Sequence, residues 1–341
     1  MEKKKKTQKR KQRRVLLLLF LMIGTGVIFG TATYAWFTAN KTVSVNPIDV
    51  NVTAKSGLQI SADAQNWKSI LDVTDLTSAS GTYSAAVNQI PATIEPVSSV
   101  GTVDSTGKME MFLGTVTADD GGDFVLSASK STETNTTASG AFVAYDIFLR
   151  TEEAAQVYLT SNSGITFADD NDKGIKNATR VAFVDLGTKD SGSSVPELQG
   201  INDGAASPVT IWEPNYDDHT AYGVANARDV YGVTVNQGTG NAAVTYDGIK
   251  AAFGTEEGIT LGQAKHDGTS TGSNNSTLFQ TVTPTIKTET GFDENQALIN
   301  LEKGVTKLRI YMWIEGQDVD CENNASGGKI TFDLQLTTAT D

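Results

Sequence analysis

The chain has 341 residues, and its 27 Lys and Arg against 40 Asp and Glu give a formal net charge of -13. It holds one cysteine, Cys321, and two histidines, His219 and His266. These counts exclude an internal disulfide framework and a multi-cysteine metal site, leave little for histidine chemistry, and lean away from an enzyme.

Charge is unevenly spread along the chain. Residues 1–14 carry nine basic side chains and one acid, which leaves 18 basic and 39 acidic over residues 15–341, a net of -21. A body that acidic lacks the basic footprint of a general nucleic-acid binder, so no nucleic-acid partner is expected. At 39% apolar residues it can bury a core.

The basic run is followed by an apolar stretch from Val15 to Phe29 and then by small residues, Gly30 to Ala35. This is the pattern of an export signal, to be cut by a signal peptidase. Thr33-Tyr34-Ala35 offers cleavage after Ala35, with Ala32 as a second choice. The competing reading is a retained anchor. Residues 15–40 carry no charge, and about 20 apolar residues span a bilayer. Residues 15–37 would then sit in the membrane as a hydrophobic helix. Either way residues 36–341 lie outside the cytoplasm. An exported chain with one cysteine fits the surface or surroundings of a bacterium better than a eukaryotic secreted protein.

Beyond the signal, alternation with period two dominates. Val43 and Val45 alternate with polar neighbours, Pro47 interrupts, and Ile48, Val50 and Val52 resume on the opposite parity. A parity change at proline predicts a bulge, or a strand that passes between partners. Strands are further expected at 57–60, 109–117, 156–160 and 180–186. Residues 141–150 are apolar on both parities and read as a central buried strand. In 305–314, Leu308, Ile310, Met312 and Ile314 share the inward face. In 329–338, Ile330, Phe332, Leu334 and Leu336 do. Short helical turns are expected at 67–76, 249–253 and 292–303.

Polar stretches rich in Gly, Ser, Thr and Asn lie at 127–140, 188–207, 234–245 and 266–276. The expected architecture is mainly β, an antiparallel, jelly-roll-like sandwich. Residues 36–187 and 301–341 form it. Residues 188–300 form a loop-rich insertion or a small second lobe.

Sites are few. HExxH and Walker patterns are absent from the sequence. Cys321 follows Asp318 and Asp320 and precedes Glu322, and negative neighbours make a thiol a poor nucleophile. Asp318, Asp320, Glu322 and Asn324 place oxygens at alternate positions between two strands, a candidate structural calcium site. Residues 169–172 are a second acidic turn. Glu213, Asp217, Asp218 and His219 form an acidic cluster around a histidine. Trp36 and Phe37 stand at the expected mature N-terminus, where a free apolar strand needs somewhere to bury itself.

The stretch from Gly30 to Thr38, followed by Val43, Val45, Ile48, Val50 and Val52 and then Gly57-Leu58-Gln59-Ile60, resembles the start of the camelysin-like, or TasA-like, exported biofilm-matrix fibre proteins. It covers residues 24–62. The resemblance implies a jelly-roll sandwich, export by the general pathway and fibres joined by donor-strand exchange. Residues 313–321 and the strand after them resemble clostridial surface proteins, with no role implied. The leading expectation is an exported, non-enzymatic surface or matrix protein that self-associates as a filament subunit, with Trp36, Phe37, Val43 and Val45 as the assembly strand. The alternative is a membrane-tethered extracellular binding module that uses loops of 188–300 for a glycan or other surface ligand. A third reading is a hydrolase built on Glu213 to His219.

Overall fold

Alternating β-branched and aromatic residues, punctuated by Gly, Asn and Asp turns, fold into a mainly β structure of two sandwich-like sheets and a hairpin. The computed structural model describes residues 42–45, 49–52, 57–118, 121, 124–133, 139–167, 174–259, 275–285, 297–321 and 328–338. All belong to one compact unit, Trp36–Asp341. The expected N-terminal hydrophobic helix, Trp36, Phe37, Glu322, Asn324 and residues 169–172 lie outside the described residues.

The first sheet contains β1 (Val43–Val45), β2 (Asp49–Val52), β4 (Ile70–Leu71), β6 (Thr93–Ile94), β11 (Ala155–Leu159), β12 (Gly164–Phe167), β17 (Ile299–Leu301) and β19 (Lys329–Thr338). The second contains β3 (Gln59–Ser61), β5 (Asn88–Gln89), β7 (Pro96–Ser98), β8 (Met111–Ala118), β9 (Phe124–Ser131), β10 (Val143–Thr151), β13 (Thr179–Lys189), β14 (Val209–Trp212) and β18 (Gly304–Glu315). β15 (Tyr246–Ile249) and β16 (Phe279–Val282) form the hairpin. The helices are α1 (Val73–Ser78), α2 (Val195–Gln199), α3 (Ala221–Tyr231) and α4 (Asn275–Leu278).

The sheets are mixed rather than purely antiparallel. β1 and β2 run parallel to β19, and β7 runs parallel to β18. Parallel neighbours need long connections, and here early segments of the chain lie beside its last two strands.

β19 alternates as the sequence predicts, with Ile330, Phe332, Leu334 and Leu336 buried. Between Val45 and Asp49 the chain slips by one residue against this strand, and Pro47 and Ile48 lie outside the described residues. Val45 pairs with Ile330 and Asp49 with Asp333, so three residues separate the first pair of positions and two the second. Both halves keep β19 as a neighbour. On their other side β1 has β6 and β2 has β4.

Neither 249–253 nor the described part of 292–303, residues 297–303, is helical. Ile249 ends β15, and Phe253 forms a bridge with Ala128. Residues Ile299–Leu301 form a strand paired with β11, which buries Ile299 and Leu301 and exposes Asn300. In 67–76 a two-residue strand precedes α1, which Asp72 starts with a capping box to Asp75.

β18 organises the second sheet. β13 and β10 flank it, and all twelve of its residues are buried. Leu308, Ile310, Met312 and Ile314 share one face, as expected. The opposite face carries Lys307, Arg309, Tyr311, Trp313 and Glu315. Tyr311 and Trp313 join Ala144 and Phe148 of β10 and Ala182, Val184 and Leu186 of β13 in one core cluster. Segments from 83 to 111 and from 198 to 282 cover that cluster. Residues 188–300 therefore add β14 to the second sheet and pack Leu198, Ile201, Ile211 and Tyr246 on its face. Charges enter the interior along this face.

Candidate functional site

The covered face of β18 holds two buried charge centres. At one end Asp146, alone among apolar neighbours in β10, stands opposite Arg309. Arg309 Nε donates to Asp146 Oδ1 at 2.6 Å and its Nη2 to Oδ2 at 3.3 Å. Lys307 Nζ lies 3.4 Å from the same carboxylate. Burial works against the Asp146 charge, but Arg309 and then Lys307 outweigh it and hold the carboxyl below its ordinary range. Burial lowers the Lys307 ammonium, and Asp146 offsets part of that. Glu133 takes Tyr311 Oη–H at 2.8 Å and Arg309 Nη1 at 3.3 Å on one oxygen.

At the other end a single guanidinium serves two acids. Arg180, from β13, is fully buried. Its Nη2 reaches Asp318 and, at 3.1 Å, Glu213. Its Nη1 donates to the carbonyls of Asn177 and Thr179, and its plane lies 5.3 Å from the Tyr246 ring centre. Asp318 makes the closer contact. Burial lifts the Glu213 carboxyl well above the usual range, Arg180 offsets part of this, and Asp318, Asp320 and Glu315 add to it. One cation thus faces two acids. Glu315 lies next along β18. It accepts from Trp313 Nε1 at 3.0 Å and Gln317 N at 3.0 Å, and burial pushes it to about 7.

His219 completes this end. Its Nδ1 lies 2.7 Å from Asp320 Oδ2. Asp320 Oδ1 accepts Thr220 N at 2.8 Å and Thr220 Oγ1 at 3.0 Å. These donors suit an ionised Asp320. Burial opposes the His219 charge, but the bond to Asp320 and the charges of Asp320, Asp318 and Asp218 raise the imidazole above its ordinary value. Thr220 is also the N-cap of α3, accepting from Gly223 N at 2.9 Å. The turn 318–321 is thereby tied to the start of a helix.

Close approach explains Gly223. A Cβ there would stand 2.0 Å from Asp320 Oδ1. Alanine inside a helix ordinarily stabilises by about 1 kcal/mol relative to glycine. Here Gly223→Ala should instead destabilise by about 2 kcal/mol, because Asp320 must leave its donors. The His219 titration should fall towards about 6.5. NMR titration of His219 checks this, and an unchanged imidazole would contradict it.

These contacts draw together two sequence clusters. Glu213 joins Asp318 through Arg180, and His219 joins Asp320. Asp218 lies 3.3 Å from Lys176, and Asp217 accepts from Gly240 N. Of the four residues expected to hold calcium, Asp318 and Asp320 contact the protein's own donors, and Glu322 and Asn324 lie outside the described residues. Among the described residues no group of three or more His, Cys, Asp or Glu could hold a metal ion. The Asp320–His219 pair is the arrangement that orients a general base. His219 is 4% exposed, and its Nε2 has no hydrogen-bond partner among the described residues. Cys321 is buried.

Of the assembly strand, Val43 is buried and Val45 half-buried in β1. β1 fills a slot between β19 and β6. Ser44 N donates to Gly328 O at 2.8 Å and Val45 N to Ala92 O at 3.0 Å.

Arg180, Lys307, Arg309, Asp146 and Glu133 were not expected as site residues. Lys307 and Arg309 share their parity with Tyr311 and Trp313, and Asp146 interrupts an apolar run. Those two signals would have found Lys307, Arg309 and Asp146, and nothing comparable marks Arg180 or Glu133. Compared with protein-family models, curated proteins and solved structures, the chain matches none.

Proposed function

We propose that the protein is an exported, non-enzymatic surface or matrix protein of a bacterium, whose copies join into filaments by exchanging the strand that contains Val43 and Val45. Trp36 and Phe37 precede that strand and would travel with it. The observation that carries this reading is the position of β1. It is a three-residue strand with a hydrogen-bonded neighbour on each side. Withdrawing it would bare the edges of β19 and β6, and bare edges recruit another strand. A second copy supplies a strand of identical sequence and register, which makes exchange the low-cost route to association. Burying a valine contributes on the order of 1.5–3 kcal/mol before ordering costs.

Cleavage after Ala35 would leave the strand at a chain end, free to move. Among the described residues no helix is long and apolar enough to cross a membrane, and residues 15–37 lie outside them. The test is deletion of residues 36–46 from the mature chain, followed by sedimentation and electron microscopy. The deleted protein should remain folded and stay monomeric, while the mature chain forms polymers. Filaments from the deleted protein, or a mature chain that stays monomeric at high concentration, would overturn the reading.

A further inference from the structure

A cleft of roughly 570 Å³ opens beside the Asp146 centre. That volume suits a ligand the size of one or two sugar rings. The 83–87 segment, the 104–108 turn and residues 199–202 form its walls, with Lys307 and Arg309 beneath. It shares no residue with β1, so binding in the cleft is independent of strand exchange.

Its hydrogen-bond capacity can be counted. Lys307 spends its three protons on Tyr83 Oη at 2.7 Å, Gln199 O at 3.1 Å and the Asp146 carboxylate. Arg309 has five N–H groups. Four go to Asp146, Gly107 O and Glu133, which leaves one on Nη2. Lys108 is half-buried and, among the described residues, gives one proton to Glu133 O at 3.3 Å, which leaves two. Glu133 is 2% exposed, and its Oε2 has no partner among the described residues. The unspent capacity is therefore cationic donors on Lys108 and Arg309 beside one carboxylate acceptor. Of the charged residues that line the cleft, three are cations and one is an acid, with Asp146 directly against Lys307 and Arg309.

We infer that this cleft binds an acidic, hydroxylated ligand of sugar size, of the uronate class, its carboxylate held by Lys108 and Arg309 and a hydroxyl donating to Glu133. An anion needs donors that no internal acid already claims, and Lys108 and Arg309 keep them. Specificity over a simple carboxylate comes from Glu133, since a buried acceptor left unpaired is costly. The source is a free sugar acid or an acidic polysaccharide, which present the same group.

Calorimetric titration of the mature chain with glucuronate, glucose, acetate and polygalacturonate tests this. Glucuronate should bind saturably and at least about tenfold more tightly than glucose or acetate. Lys108→Ala should weaken glucuronate by about tenfold or more, and Lys108→Arg should restore most of it. Lys108 is half-buried and outside the core, so the variant should fold, and an unchanged melting temperature would establish that. Polymer binding with the same Lys108 dependence would assign the source to a polysaccharide. Binding of glucuronate alone would assign it to a free sugar acid. No saturable binding of either acid, equal binding of glucose, or affinity unchanged by Lys108→Ala would overturn the proposal.

Discussion

Asp146→Asn should destabilise the protein by about 3–5 kcal/mol, the cost of leaving buried charge uncompensated. Two cations depend on this one carboxylate. Arg309 is 6% exposed and Lys307 4% exposed, so water from the adjoining cleft replaces little of the lost charge. Asparagine keeps the size and loses the charge, so packing is not the variable. Glu133 already serves Tyr311 and Arg309 and does not reach Lys307. Adding Lys307→Met to Asp146→Asn removes one orphaned cation and should recover part of the loss. Urea denaturation of the two variants beside the parent checks both statements. A loss below about 1 kcal/mol in the single variant would mean that Glu133 alone neutralises the centre.

Raising the pH from about 5 to about 8 should lower stability, against the common pattern of acid-side loss. Glu213 and Glu315 are raised above their unfolded values by burial. A raised carboxyl binds a proton in the folded state that the unfolded state has released, so stability falls as pH rises between the two values. For Glu315 that window runs from about 4.5 to about 7, and for Glu213 it extends higher. His219, also raised, contributes stability that is present below about 6.5 and lost as pH climbs through its folded value. All three act in one direction. Each contributes at most about 1.4 kcal/mol per pH unit within its window. On the acid side Asp146 and Asp63 sit below their ordinary values, Asp63 because its hydrogen bonds to Asn66, Thr82 and Gln65 outweigh burial. Their contribution is lost as pH falls below about 4. Stability should therefore peak near about pH 5. Urea denaturation at one-unit intervals reads the curve, and Glu213→Gln should flatten its alkaline limb. A curve that rises from pH 5 to 8 would contradict the upward shift of the Glu213 and Glu315 carboxyls.

Period-two alternation made most of the fold legible. It placed β19 to the residue, marked β10 as buried on both faces, and located the slip between Val45 and Asp49. It could not choose strand neighbours. Long connections set the parallel pairs of β1, β2 and β7, and no local pattern records them. α3 escaped because Ala221–Tyr231 carries few large apolar residues. Its signals were the Thr220 cap and Gly232, which takes the left-handed conformation at the other end. β17 read as helix because Leu298, Ile299 and Leu301 also fit a helical spacing, and pairing with β11 decided otherwise. The charge centres were hidden by a one-way assumption. The alternation assigns one inward face, with Leu308, Ile310, Met312 and Ile314, although Tyr311 and Trp313, on the parity of Lys307 and Arg309, require the other face to be covered as well. The acids of 213–219 and 318–324 were each visible, but Arg180, which joins Glu213 to Asp318, lies in a strand that gave no sign of a partner.

Strand exchange can be read directly with a covalent trap. Ser44 and Lys329 are register partners in β1 and β19, and Lys329 is exposed. Neighbouring strands bring Cα atoms within disulfide range. With Cys321 replaced by alanine, the mature chain carrying Ser44→Cys and Lys329→Cys should be oxidised after assembly and run without reductant on a denaturing gel. If β1 is supplied by a neighbouring copy, the disulfide joins chains, and a ladder of covalent oligomers should appear and collapse to one band on reduction. A disulfide that closes only within single chains, at concentrations where polymers are present, would contradict exchange of the N-terminal strand.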